Sequence, residues 1–297
     1  MQKAMQALNT DEEGVRRRFG DDFRRVYGVY KEPGYKISEG TTWKTPFQVE
    51  RTGIGFGQPT SHPLKGATTV KEVLDYPWPD PDWVDVSNIK KDADKYQQEF
   101  AILGGDWSPY WHDAIDLFGM EELYIKMFEF PDVVHAAIDH IIKYYYKVSE
   151  NIFEVAGDSI DIFFIGNDYG SQTGPLLGPD LFEEFLLPPL KKLINLGHLY
   201  GHKTMLHCCG SISILLPLMI KAGLDGIHAL QPDCYGMDLS KLKSDPDYVR
   251  KETKMVLDIM APGGGYVAGA SHDYILEETP FENILAMFDT ISEYRQM

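Results

Sequence analysis

From residue 100 onward, short apolar runs alternate with stretches of helical periodicity. Phe100-Ala-Ile-Leu-Gly104, Ile160-Asp-Ile-Phe-Phe-Ile165, Lys203-Thr-Met-Leu-His207, Gly226-Ile-His-Ala-Leu230 and Gly265-Tyr-Val-Ala-Gly269 each read as a buried strand. Between them, residues 112–127, 131–156, 179–196, 211–222 and 245–260 carry the spacing of helices, and a helix from 281 to 294 closes the chain. Upstream the pattern differs. Thr10-Asp-Glu-Glu13 opens a charged helix that runs through Arg16, Arg17 and Arg18. Residues 27–66, rich in Gly, Pro, Thr and aromatics, predict short strands, loops and a hairpin. Thr69 and Glu72 form the outline of a capping box for a short helix over 67–75, and Tyr76-Pro-Trp-Pro-Asp-Pro-Asp82 stops it, because proline cannot continue a helix.

Strands alternating with helices imply βαβ units and parallel pairing, so the fold class is α/β. Polar groups follow nearly every strand: Asp106, Asn167 and Asp168, His207 and Cys209, Gln231 and Asp233, Ser271 and His272. A (β/α)8 barrel of the TIM type gathers all strand C-termini around one mouth, whereas an open doubly wound sheet spreads them along an edge. The barrel is the better match. A single domain over 1–297 is expected, with 1–66 as a divergent N-terminal part.

Composition narrows the partners. Lys and Arg number 28 against 45 Asp and Glu, a formal charge of −17 that opposes nucleic acid and anionic membranes. No apolar run is long enough for a membrane span, and the charged N-terminus has no secretory leader pattern. The three cysteines, Cys208, Cys209 and Cys234, are an odd number with two adjacent, which suits a reducing cytoplasm. A small-molecule substrate is the expected partner.

Candidate chemistry sits at the strand ends. Residues i and i+2 of an extended strand end share one side, so His207 and Cys209 point together while Cys208 turns into packing. An imidazole and a thiolate are half of a zinc site, and Cys234 or His272 is positioned to complete it. The competing reading is a buried His and Cys serving the core. Asp168, His272 and Asp106 are candidate catalytic groups, although Asp106 is equally suited to capping. Asn167, Tyr169, Gln172 and Gln231 are candidate substrate-binding residues. His62, His112, His135, His140, His198, His202 and His228 read as surface or satisfied core histidines.

The order of Tyr76-Pro-Trp-Pro-Asp80, Gly166-Asn-Asp-Tyr-Gly-Ser-Gln172, Leu206-His-Cys-Cys-Gly210, Gln231-Pro232, Ala261-Pro-Gly-Gly-Gly-Tyr266 and Thr279-Pro-Phe-Glu-Asn283 resembles the uroporphyrinogen decarboxylase superfamily, which includes zinc-dependent corrinoid methyltransferases. The resemblance implies a (β/α)8 barrel lacking one or two family strands. The first barrel strand is expected to precede this chain's start, and the Gly-Gly-Ile-Asp strand usual before the helix at Asp245 is not in the sequence. It also implies zinc-dependent methyl transfer from a methylcorrinoid or other methylated donor to a thiol or folate acceptor, with zinc as cofactor and a corrinoid protein as partner. His207 and Cys209 match the methyltransferases' His-x-Cys pair. Their late cysteine falls at Ser271, so Cys234 or His272 is expected to stand in as the third ligand. The alternative is decarboxylation of uroporphyrinogen. His272 matches the decarboxylases' late histidine, but their Arg-Gln-Ala-Gly-Arg segment is missing, Thr41-Thr-Trp-Lys-Thr-Pro46 replaces the stretch with the early aspartate, and Arg51 and Lys65 are the candidate clamps. A non-catalytic binding module is the second alternative.

Overall fold

In the computed structural model, residues 2–32, 41–53, 56–229, 246–262, 268 and 279–295 are described. Four of the apolar runs become strands of one parallel sheet. Numbering strands along the chain, β1 is Phe23–Arg25, β2 Val29–Tyr30, β3 Thr42–Lys44, β4 Glu50–Thr52, β5 Gln58–Pro59, β6 Val84–Asp85, β7 Ala101–Gly104, β8 Ile162–Gly166, β9 Lys203–His207 and β10 Gly226–His228. The main sheet runs β1-β7-β8-β9-β10 with every neighbour pair parallel. Its spatial order follows chain order without a reversal. A doubly wound sheet has a switch point where that order turns back, and a barrel does not. The fold is therefore α/β of the TIM-barrel type, with five of its strands among the described residues. The strand expected at 265–269 lies outside them, apart from Ala268.

Two compact units make up the chain, Phe23–His228 and Met1–Asp22 together with Ala229–Met297. The first holds the sheet. Its core is sealed by the helix Pro131–Ala156, whose apolar stripe buries Val134, Ile141, Val148 and Ile152 completely. Each such side chain contributes about 1.5–3 kcal/mol relative to exposure. In the second unit the helix Glu12–Arg18 starts at Asp11, whose carboxylate accepts from the Gly14 N–H, one residue later than the start expected at Thr10. Beyond it Phe19 stacks on Phe288 of the helix Phe281–Arg295 at 4.7 Å. The helix Pro246–Met260 also belongs here, as its periodicity predicts.

Several local features have clear sequence causes. The Thr69–Glu72 capping box forms as expected over Val70–Leu74. The hairpin expected in 27–66 is an antiparallel meander, β3-β4-β5. The helix expected over 112–127 divides at Gly119 (φ 81°) into Tyr110–Phe118 and Met120–Glu129, because a positive φ breaks the helical path. Pro188 and Pro189 have no N–H to offer the carbonyls of Glu184 and Phe185. The backbone widens into a π turn over Phe182–Leu186 before the helix Leu187–Leu199 resumes. No periodicity announces β1. Its Arg24 is buried at 5% exposure, with the guanidinium 3.8 Å from the Phe100 ring centroid.

Candidate metal centre

Register brings the strand ends to one level: Gly166 of β8 pairs with His207 of β9, which pairs with His228 of β10. Past this level the chain leaves the sheet in two loops that touch through their backbones. A Cβ on Gly170 would lie 2.7 Å from the carbonyl carbon of Gly210, and one on Gly210 (φ 87°) would lie 2.5 Å from that of Gly170. Only glycine permits this approach at both positions. The Ser211 N–H donates to the Ser171 carbonyl at 2.8 Å and secures the contact. Gly166 is required for a related reason, since a Cβ there would run into the Trp107 ring at 1.9 Å.

The joined loops set Asp168 against Cys209. The Cys209 N–H donates to Asp168 Oδ1 at 2.6 Å. His207 Nε2 lies 3.4 Å from Cys209 Sγ and 3.8 Å from Asp168 Oδ1. One donor atom from each of Asp168, His207 and Cys209 falls within 4.8 Å of the others. His207 itself is buried, while Asp168 and Cys209 are half-buried. Burial alone would raise the Asp168 pKa. Hydrogen bonding from His112 and the Cys209 N–H, with the nearby charge of His112 and His207, outweighs it and brings the carboxyl down to about 2. Asp168 is thus an anion at neutral pH.

Two histidines that the sequence did not single out belong to this cluster. His112, near the start of the helix Tyr110–Phe118, places Nε2 3.5 Å from Asp168 Oδ2. His228 places Nδ1 2.8 Å from His207 Nδ1. The position of His228 at the end of a strand, level with His207, is the signal that the sequence did carry. Nothing local marks His112.

The other expected site residues take varied places. Cys208 faces the core as expected. It is 2% exposed, and burial pushes its thiol up to about 12. Asn167 is fully buried. Its Oδ1 accepts from the Trp111 N–H at 2.9 Å and its Nδ2 donates to the Ser108 carbonyl at 3.0 Å, so it fixes the turn into the Tyr110–Phe118 helix. Tyr169 is also buried, its hydroxyl 2.5 Å from that of Tyr110. Gln172 is exposed on its loop. Asp106 accepts from the Ser108 N–H at 2.9 Å and shapes its own turn, while burial raises its pKa. Arg51 forms an ion pair with buried Asp116 at 3.0 Å, and Lys65 is exposed. Gln231, Cys234 and His272 lie outside the described residues.

A parallel α/β sheet with a thiol, imidazoles and a carboxylate gathered at its strand C-termini defines the class. Residues 86–231 match the uroporphyrinogen decarboxylase (URO-D) family. Among curated proteins it is similar to the methylcobamide:CoM methyltransferase MtbA of Methanosarcina acetivorans, 22% identical over 227 residues that cover 70% of this chain and 62% of that protein. It is also similar to MtbA of Methanosarcina mazei, 23% identical over 143 residues, 48% of this chain and 40% of that one. The chain therefore spans less than two thirds of the length of the relatives it matches. A solved methyltransferase from Methanosarcina mazei shares the fold, with a TM-score of 0.58, 19% identity and coverage of 95% of this chain and 83% of that one. Among the described residues no helix is long and apolar enough to cross a membrane.

Proposed function

We propose that this protein is a methyltransferase that moves a methyl group from a methylcorrinoid donor to a thiol, using a zinc ion held by His207, Cys209 and Asp168. The observation that carries the reading is the convergence of these three donors within 4.8 Å. The donor set suits the metal. Tetrahedral zinc, with bonds of about 2.0–2.3 Å to N, O and S, sets its ligand atoms roughly 3.3–3.8 Å apart. The His207–Cys209 separation of 3.4 Å falls within that range, and the His207–Asp168 separation of 3.8 Å lies at its upper end. Zinc bound here supplies a positive centre that lowers the pKa of an acceptor thiol.

The chain's own residues do the rest. Asp168, held ionised, offers one oxygen to the cluster while His112 occupies the other. Trp107, its ring 5.3 Å from that of His207 and itself under the Arg25 guanidinium at 4.6 Å, walls one side with apolar surface. In the reaction the sulfur lone pair attacks the methyl carbon, the cobalt–carbon bond breaks with its electron pair remaining on the corrinoid, and the thiol proton leaves to water. The activity in the name of the MtbA relatives, methylcobamide:CoM methyl transfer, supports this choice over others open to the family.

The test is zinc content after dialysis together with methylcobalamin demethylation by a small thiol. Wild type is expected to hold about one zinc per chain and His207→Ala none, with demethylation lost alongside. Wild type that binds no zinc, or His207→Ala that keeps it, overturns the reading.

A further inference from the structure

His228 is joined to His207 by the closest side-chain contact that His207 makes among those described, Nδ1 to Nδ1 at 2.8 Å. The geometry leaves one arrangement of protons compatible with a metal. His207 Nε2 is the nitrogen turned toward Cys209 and Asp168, so it must be the unprotonated ligand. Its Nδ1 then carries hydrogen and donates. His228 Nδ1 must accept, and the His228 proton resides on Nε2. A partner that fixes the tautomer of a ligating histidine is normally a carboxylate, a backbone carbonyl or water. Here an imidazole fills that place.

The surroundings hold His228 for the task. Strand pairing puts its Cα level with that of His207, and its carbonyl accepts from the Cys208 N–H at 3.3 Å. The Phe164 ring meets it edge-on at 5.5 Å, and the His207 ring lies 5.0 Å away, tilted by 39°. Ala229, the next residue, has a φ of 63° and ends the strand there. A non-glycine residue in that conformation is uncommon and is maintained by its surroundings.

We infer that His228 is a positioning residue for the metal ligand: its Nδ1 accepts from His207 Nδ1–H and so holds His207 Nε2 toward the ion. The inference rests on the zinc reading above. It is tested with the full chain and zinc alone, by chelator competition, using wild type, His228→Leu and His228→Asn. Leucine removes the acceptor but keeps bulk, while the asparagine amide oxygen stands near the place of Nδ1. His228→Leu is expected to weaken zinc binding about 10- to 100-fold and His228→Asn to recover most of it, as is usual for an outer partner of a metal ligand. The cobalt-substituted absorption spectrum should change in the leucine variant and return in the asparagine one. Nitrogen-15 histidine spectra of the zinc-loaded wild type, which do not depend on any variant folding, should show His228 protonated on Nε2 only. Affinity in His228→Leu within about twofold of wild type, an asparagine variant no better than leucine, or a proton on His228 Nδ1 overturns the inference. If wild type itself takes up no zinc, the underlying reading has failed. If it binds zinc and the leucine variant matches it, only the role of His228 has.

Discussion

The two ends of the parallel sheet use the same side chains in opposite ways. At the N-terminal end, carboxylates and a histidine act as fasteners. Asp225 accepts from the Thr204 N–H at 2.9 Å, from Lys203 Nζ at 2.9 Å and pairs with His198 at 2.7 Å. Asp161 accepts from the Ile102 N–H at 2.7 Å. Each links one strand to the next. At the C-terminal end Asp168 takes one backbone N–H, and its remaining capacity faces His112, His207 and Cys209. The groups there are titratable, mutually close and carried on loops whose glycines allow the approach. In barrel proteins stability residues collect at the bottom and chemistry at the top. The contrast here lies in what each carboxylate has left to bind.

Breaking the top should remove function and spare the fold. Cys209→Ala is expected to abolish zinc retention and cut methyl transfer by more than about 100-fold, beyond what losing an outer partner costs, with a small change in melting temperature. Zinc content and calorimetry on one preparation check both halves. A milder break acts through the backbone. Gly210→Ala puts a Cβ 2.5 Å from Gly170 at a φ of 87°. It should cost about 1–3 kcal/mol and weaken zinc binding together, because separating the loops separates Asp168 from Cys209. Urea unfolding and chelator competition read these two effects.

At the bottom the order of effects reverses. Asp225→Ala leaves the Thr204 N–H in a fully buried residue without its acceptor, and should cost about 1–3 kcal/mol in urea unfolding with zinc content unchanged. The smallest expected effect is on pH dependence. His202, buried beside Phe153, has its pKa lowered chiefly by desolvation. A folded-state pKa below the unfolded value of about 6.5 means that the unfolded chain binds the extra proton. The contribution of His202 is thus full above that value and is lost as pH falls below it. His202→Phe should flatten the acid side of the stability curve from pH 7 to 5, measured by thermal unfolding.

Much of this contrast was legible in the sequence. Four apolar runs fall on β7, β8, β9 and β10, and β7 and β8, buried over most of their length, leave the clearest continuous apolar signature. The His207-x-Cys209 spacing anticipated, through strand alternation alone, that these two side chains meet. Other residues were hidden for physical reasons. Arg24 sits in β1 because a guanidinium can be covered by an aromatic face, which no hydropathy pattern reports. His112 and His228 acquire their roles from loops and strands distant in sequence. Asn167 and Tyr169 flank Asp168 in the chain, yet turn inward to hold Ser108, Tyr110 and Trp111 at the start of the Tyr110–Phe118 helix.

Counting the sulfur ligands of the bound zinc tests the central claim most directly. X-ray absorption at the zinc edge of the wild-type protein should show one sulfur at about 2.3 Å with nitrogen and oxygen completing the shell, as His207, Cys209 and Asp168 require. Two sulfurs would mean that a second cysteine, Cys234 or Cys208, takes the place assigned to Asp168, and would contradict the account.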